Sequence, residues 1–165
     1  MDTADMLTLV EYNKWANNRL MRRAAHLSEE QLTEPCWLSQ GNLYDTLFHT
    51  ADAQWSWRLA CQVGQLPRGR LSQAQFANIT AFRTYWQEED AALIKYVTSL
   101  SAAALNETVQ FSWAQARPRS RTLWHILAHV VNHGSIHRSE MGQYMATLGR
   151  SPGNMDFIMY TSRVR

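Results

Sequence analysis

The sequence is short of cysteine, glycine, proline and net charge, with two Cys, seven Gly and four Pro in 165 residues. Two thiols, Cys36 and Cys61, do not make a disulfide framework in a chain large enough to bury a core. Neither sits in a Cys-x-x-Cys pair, so thioredoxin-like redox chemistry has no local support. The scarcity of Gly and Pro excludes collagenous and low-complexity classes. No apolar run reaches the roughly 18 residues that would suggest a membrane span, so no membrane partner is expected. A formal charge of +2 gives no general attraction for nucleic acid, although an isoelectric point of about 8.7 allows a local basic patch. Phosphate-cradling glycine loops and Gly-x-Ser-x-Gly elbows are also missing. The first residues, Met1-Asp2-Thr3-Ala4-Asp5, carry two acids and no basic leader, so a reduced, cytoplasmic setting is expected.

What the sequence does contain is 45% apolar residues, enough for one compact domain over 1–165. The apolar residues recur at helical spacing. Met6, Leu9, Val10, Asn13, Ala16, Leu20 and Ala24 mark one buried stripe between Thr3 and about Ala25, with Asp2 or Thr3 as cap. Ser28-Glu29-Glu30-Gln31 has the capping-box pattern of a short helix. Residues 42–63 form a second long helix closed by Gly64, and the connection after it, with Pro67 and Gly69, is short. A third helix runs from about Ile79 to Leu100, and a fourth from Thr122 to Leu148, stopped by Gly149 and Pro152. Glu107 to Trp113 alternates like an extended excursion, but a single strand cannot make a sheet. The expected architecture is all-α, a four-helix bundle with longer connections than an idealised up-down bundle needs. The seven Trp read mainly as core or interface residues, with Trp57 and Trp113 the hardest to place. Residues 155–160 are expected to pack back on the bundle, with a place beside the functional site or on a neighbouring chain left open.

The six His are not scattered. His125, His129, His133 and His137 repeat every four residues, and each step turns the helix face by about 40°. With Val130 at the centre of the apolar stripe, His137 falls near −20°, His133 near −60°, His129 near −100° and His125 near −140°, all approximate. His133 and His137 therefore point inward, while His125 and the isolated His26 belong at the surface. Buried imidazoles need partners. A metal ion satisfies both, and so would Tyr, Ser or carboxylate side chains. His49 is the candidate third ligand, because its face of the second helix carries the small or polar residues Asp45, Ala53, Ser56 and Ala60. Three neutral imidazoles suit Zn, Ni, Fe or Cu and leave coordination positions open, which points to chemistry rather than structure.

Three segments resemble the DinB family, the DinB/YfiT-like metalloenzymes: Tyr12-Asn13-Lys14-Trp15-Ala16-Asn17, Leu47-Phe48-His49 and Asn132-His133-Gly134-Ser135-Ile136-His137-Arg138. The resemblance implies a four-helix bundle in which His49, His133 and His137 bind one divalent metal, Zn or Ni first, Fe or Mn also open, with water completing its coordination. It further implies a homodimer and a metal-dependent thiol S-transferase, whose partners are a small thiol and an electrophilic small molecule. A metal-dependent hydrolase or a non-catalytic, metal-binding stress protein are the alternatives. Ser139-Glu140 stands where the family usually has Gly-Gln. Ser139 places a side chain where helices could approach closely. Glu140 is expected to be solvated, although its i+3 spacing could orient His137. Asp52 is the best-spaced acid to support His49, with a surface role equally open, and His129 is a possible flanking group. Arg138, Arg119 and Arg121 are expected at the surface, where any could bind a substrate carboxylate.

Overall fold

The computed structural model describes residues 1–67, 71–112 and 117–162. Gly69 and Trp113, both named above, lie outside them. Four long helices carry the fold: α1 (Thr3–Ala24), α3 (Leu43–Val63), α4 (Ile79–Thr98) and α6 (Leu123–Thr147). Short helices α2 (Glu29–Thr33), α5 (Ala102–Leu105) and α7 (Phe157–Thr161) fill the connections and the end. Each boundary has a local cause. The Asp2 side chain accepts the Asp5 amide and Asp5 accepts the Asp2 amide, closing a capping box on α1. Ser28 and Gln31 do the same for α2, and Gly64 ends α3 with φ +72°, a left-handed backbone that glycine adopts without a Cβ clash. The start of α4, which the sequence leaves vague, is set by Asn78 accepting the Ala81 amide.

Two apolar clusters fix the helix directions. In one, Leu20 and Ala24 at the end of α1 meet Leu43 and Leu47 at the start of α3, Phe82 and Trp86 at the start of α4, and Met141 and Met145 late in α6. In the other, Met6 and Val10 meet Leu93, Val97, Leu127 and Val130. Helices α1 and α6 therefore run one way and α3 and α4 the other. The link between the parallel α3 and α4 must climb the whole bundle, a span of about 30 Å that 15 extended residues cover easily. It is tied down on the way: the Leu71 amide donates to Asp52 Oδ1 at 2.9 Å, and Gln73 Nε2 donates to Asp45 Oδ1 at 2.6 Å. That is the role of Asp52 visible in the structure. Among the described residues no helix is long and apolar enough to cross a membrane.

The expectation of a lone strand is corrected. Thr108–Phe111 (β1) pairs antiparallel with Arg119–Thr122 (β2), in register Thr108 to Thr122 and Phe111 to Arg119. The second strand escapes sequence reading because Arg-Ser-Arg-Thr has no buried alternate face; most of it is exposed. Phe111 is the residue the hairpin buries, packed with Ala60, Leu66 and Ile126. The C-terminal segment does fold back, but on α1. Tyr12 Oη donates to the Met155 carbonyl at 3.0 Å, Tyr160 Oη donates to Glu11 at 3.2 Å, and the Tyr12 and Phe157 rings meet edge to face.

Candidate metal centre

The helical phase of the histidine series is reproduced by burial. His137 is buried, His133 and His49 are half-buried, and His129 and His125 are exposed. Packing α3 against α6 brings the three inner rings together. His133 Nε2 lies 3.2 Å from His49 Nε2 and 3.2 Å from His137 Nε2, and one ligand atom from each residue falls within 4.8 Å of the others. Two nitrogens this far apart subtend about 100° at an ion about 2.1 Å from each, close to tetrahedral and octahedral angles. Among the described residues no fourth His, Cys or acid joins the group.

The electrostatics suit a cation. Burial, reinforced by the neighbouring His137 and His49 rings, pushes His133 down to about 4, so it is neutral near pH 7 and its lone pair is available. His137 is oriented from behind. Its Nδ1 lies 3.3 Å from Glu140 Oε2 and 3.3 Å from Ser39 Oγ, and the Ser39 hydroxyl donates to the same Glu140 oxygen at 2.8 Å. Burial works upward on the Glu140 carboxyl, but the Ser39 and His137 hydrogen bonds outweigh it and hold the group below its ordinary range. A carboxylate behind Nδ1 favours the tautomer with the proton there and the Nε2 lone pair facing inward. The expectation of a solvated Glu140 is thus overturned, because Ser39, in the loop before α3, reaches across to it. Ser139, in contrast, is exposed and not wedged between helices. These donors and this charge state fit a divalent metal ion.

The other site candidates divide. The exposed His129 ring sits 5.6 Å from His133 and 5.5 Å from Trp57, flanking the triad without joining it. The surface placement of Arg138 is wrong. Its side chain is 1% exposed and points to α1, away from the histidines. Nη1 donates to Asn13 Oδ1 at 2.6 Å and Asn17 Oδ1 at 2.7 Å, Nη2 donates to Ser135 Oγ at 3.0 Å, and the guanidinium lies over the Tyr12 ring. The chain of contacts continues through amides: Asn13 donates to Gln54, and Gln54 and Asn17 both donate to Asp90 Oδ1 at 3.0 Å. Arg138 and Asp90 are therefore the charged ends of a polar layer between the two apolar clusters, bridged by three amides. Burial raises the Asp90 carboxyl to about 6 against those hydrogen bonds. The network could not be read from the sequence because Asn13 holds a stripe position where an apolar residue is expected, and its partners Arg138 and Gln54 lie on other helices. Gly134 makes room for it: a Cβ there would stand 2.6 Å from Arg138 Nη1 and 2.9 Å from Asn13 Oδ1.

The sequence model of the DinB family matches residues 1–163. The chain belongs to the DinB family. It is 24% identical over 156 residues to Protein DinB of Bacillus subtilis (strain 168), covering 92% of this chain and 91% of that one. In fold it resembles YfiT from Bacillus subtilis, a probable metal-dependent hydrolase with an unusual four-helix bundle topology. That match has a TM-score of 0.70 at 14% identity, over 92% and 91% of the two chains. The DinB-like motifs in this chain thus serve two ends. His49, His133 and His137 converge on one point, whereas Asn13, Asn17 and Arg138 lock α1 to α6, and Tyr12 and Trp15 seat α7.

Proposed function

We propose that this DinB-family protein is a divalent-metal enzyme that uses His49, His133 and His137 as ligands and transfers a small thiol to an electrophile. The observation that carries the reading is the convergence of three Nε2 atoms with no fourth protein donor among the described residues. Such a set leaves positions for exchangeable ligands. When bound, the ion would lower the pKa of a ligand thiol or water and polarise an electrophile. The residues hold and orient: Glu140 and Ser39 fix the His137 ring, and the depressed His133 stays unprotonated.

Thiol transfer is favoured over hydrolysis by where the nearby carboxylates go. Glu140 is engaged by Ser39 and His137, and Asp52 accepts the Leu71 amide. A thiol, with an ordinary pKa near 8.5, needs far less help to ionise than water does, so it suits a site whose acids are already in use. Of the chain's own thiols, Cys61 is a poor alternative, since burial pushes it up to about 12. A cavity of about 400 Å³ beside His129, floored by Trp57, Phe111 and Ile126 and edged by Arg119 and Arg121, offers room for a small organic molecule bearing a carboxylate. A cytoplasmic homodimer, with Zn or Ni ahead of Fe or Mn, completes the proposal.

The test is an assay of untagged, metal-analysed protein with glutathione-like thiols and a chloronitrobenzene, run beside an activated ester without thiol. Metal-dependent conjugation that disappears together with the metal in His49→Ala supports the reading. Metal-dependent ester hydrolysis without thiol transfer would replace it with the hydrolase.

A further inference from the structure

The protein carries little net charge, yet its cations are not evenly spread. Arg19, Arg22 and Arg23 follow the i, i+3, i+4 spacing of a single face of α1, and His26 stands just beyond its end. With Arg83 of α4 and Pro152 they line a cavity of about 460 Å³, and among the described residues no acidic side chain lines it. Arg22, Arg23 and Arg83 form no ion pair among the described residues, and Arg83 Nε is buried without a hydrogen-bond partner. Like charges three and four residues apart repel. The α1 dipole compensates Arg22 and Arg23, which stand in its last turn. It does nothing for Arg83, which lies near the positive end of α4. A buried guanidinium N–H in a cavity lined by three further arginines finds no acceptor among the described residues.

We infer that this pocket binds the phosphate group of a small hydrophilic ligand. Guanidinium forks match the tetrahedral oxygens of a phosphate, and several can share one doubly charged anion. The wall is mostly polar and rich in positive charge, so it selects a phosphate or phosphorylated sugar over an aromatic or lipid-like molecule. A cavity of about 460 Å³ also sets the size of the occupant at small-molecule scale. The pocket lies at the start of α4 and the end of α1 and shares no residue with His49, His133 and His137, so the inference does not depend on the proposed transferase activity.

The probes are inorganic phosphate and glucose 6-phosphate, titrated calorimetrically against the intact protein at constant ionic strength, with chloride as the reference anion. Saturable binding is expected. It should weaken at least about tenfold in Arg83→Gln and in Arg22→Gln, the loss of one charge-assisted contact each, and persist in His133→Ala. Arg22 is exposed, so that variant keeps the test open if Arg83→Gln folds poorly. In chloride alone the Arg22→Gln protein should melt close to the parent, because the repulsion it removes and the helix-dipole interaction it loses oppose each other. Absence of saturable binding overturns the inference. So does loss of binding in His133→Ala, which would place the phosphate at the histidines, and so does a duplex oligonucleotide that binds through these arginines and is not displaced by phosphate.

Discussion

Replacing Gly134 with alanine pits two physical effects against each other. Glycine inside a helix is about 1 kcal/mol worse than alanine, so α6 taken alone would be stabilised by Gly134→Ala. The tertiary structure reverses the sign. A Cβ would stand 2.6 Å from Arg138 Nη1 and 2.9 Å from Asn13 Oδ1, whereas ordinary contact begins near 3.4 Å. Relief requires the guanidinium to retreat by roughly 0.8 Å, and Arg138 is 1% exposed and held in place by Asn13, Asn17 and Ser135. That movement stretches both Nη1 bonds, now 2.6 and 2.7 Å, beyond useful length. Hydrogen bonds to a charged group contribute about 1.5–3 kcal/mol each. Losing most of two, less the helix gain of about 1 kcal/mol, leaves a net destabilisation of about 2–4 kcal/mol, a large part of a total near 5–15 kcal/mol. Urea denaturation followed by circular dichroism measures it, and the midpoint should fall with the slope unchanged. The same substitution made on Arg138→Met should cost much less, because only the contact with Asn13 Oδ1 remains to be relieved. An alanine variant as stable as the parent, or equal costs in both backgrounds, would refute the account of the buried layer.

Removing the carboxylate behind His137, in Glu140→Ala, should lower metal affinity about 10- to 100-fold while shifting stability little, as metal titration and denaturation together would reveal. In metal-free protein, His133 has a native value of about 4 against an ordinary 6.5, so between those values the unfolded chain binds the extra proton. Its contribution is therefore complete above about pH 6.5 and lost toward pH 4, and His133→Gln should flatten that part of the stability profile. Asp90 works oppositely: its native value of about 6 exceeds the ordinary 3.8 or so, the folded state holds the proton longer, and stability falls as pH rises from about 4 through 6. Asp90→Asn should gain on the parent over that interval by an amount on the order of 2–3 kcal/mol, read from denaturation at each pH; a difference that stays constant would contradict a titrating Asp90.

Much of this fold is legible in the chain because its signals are local. Asp2, Ser28 and Gly64 close hydrogen bonds within one turn of themselves, so the ends of α1, α2 and α3 follow from short stretches of sequence. The inward phase of His133 and His137 follows from helical geometry and the apolar residues beside them. Glu140 and Arg138 are misread for a common reason. Each satisfies its charge with a residue about 100 or more positions away, Ser39 for Glu140 and Asn13 and Asn17 for Arg138. Sequence spacing contains no trace of either meeting. The second strand fails differently: Arg119–Thr122 buries almost nothing, so its pairing with Thr108–Phe111 leaves no apolar pattern.

By itself, the sequence determined four amphipathic helices, some of their ends and the set of histidines able to face a core, since periodicity and capping act over a few residues. Only the tertiary structure decided the helix directions, the convergence of His49 with His133 and His137, and the burial of Arg138 beside Gly134. Those depend on which faces pack across the bundle, where a charge is stable only if distant residues complete its hydrogen bonds.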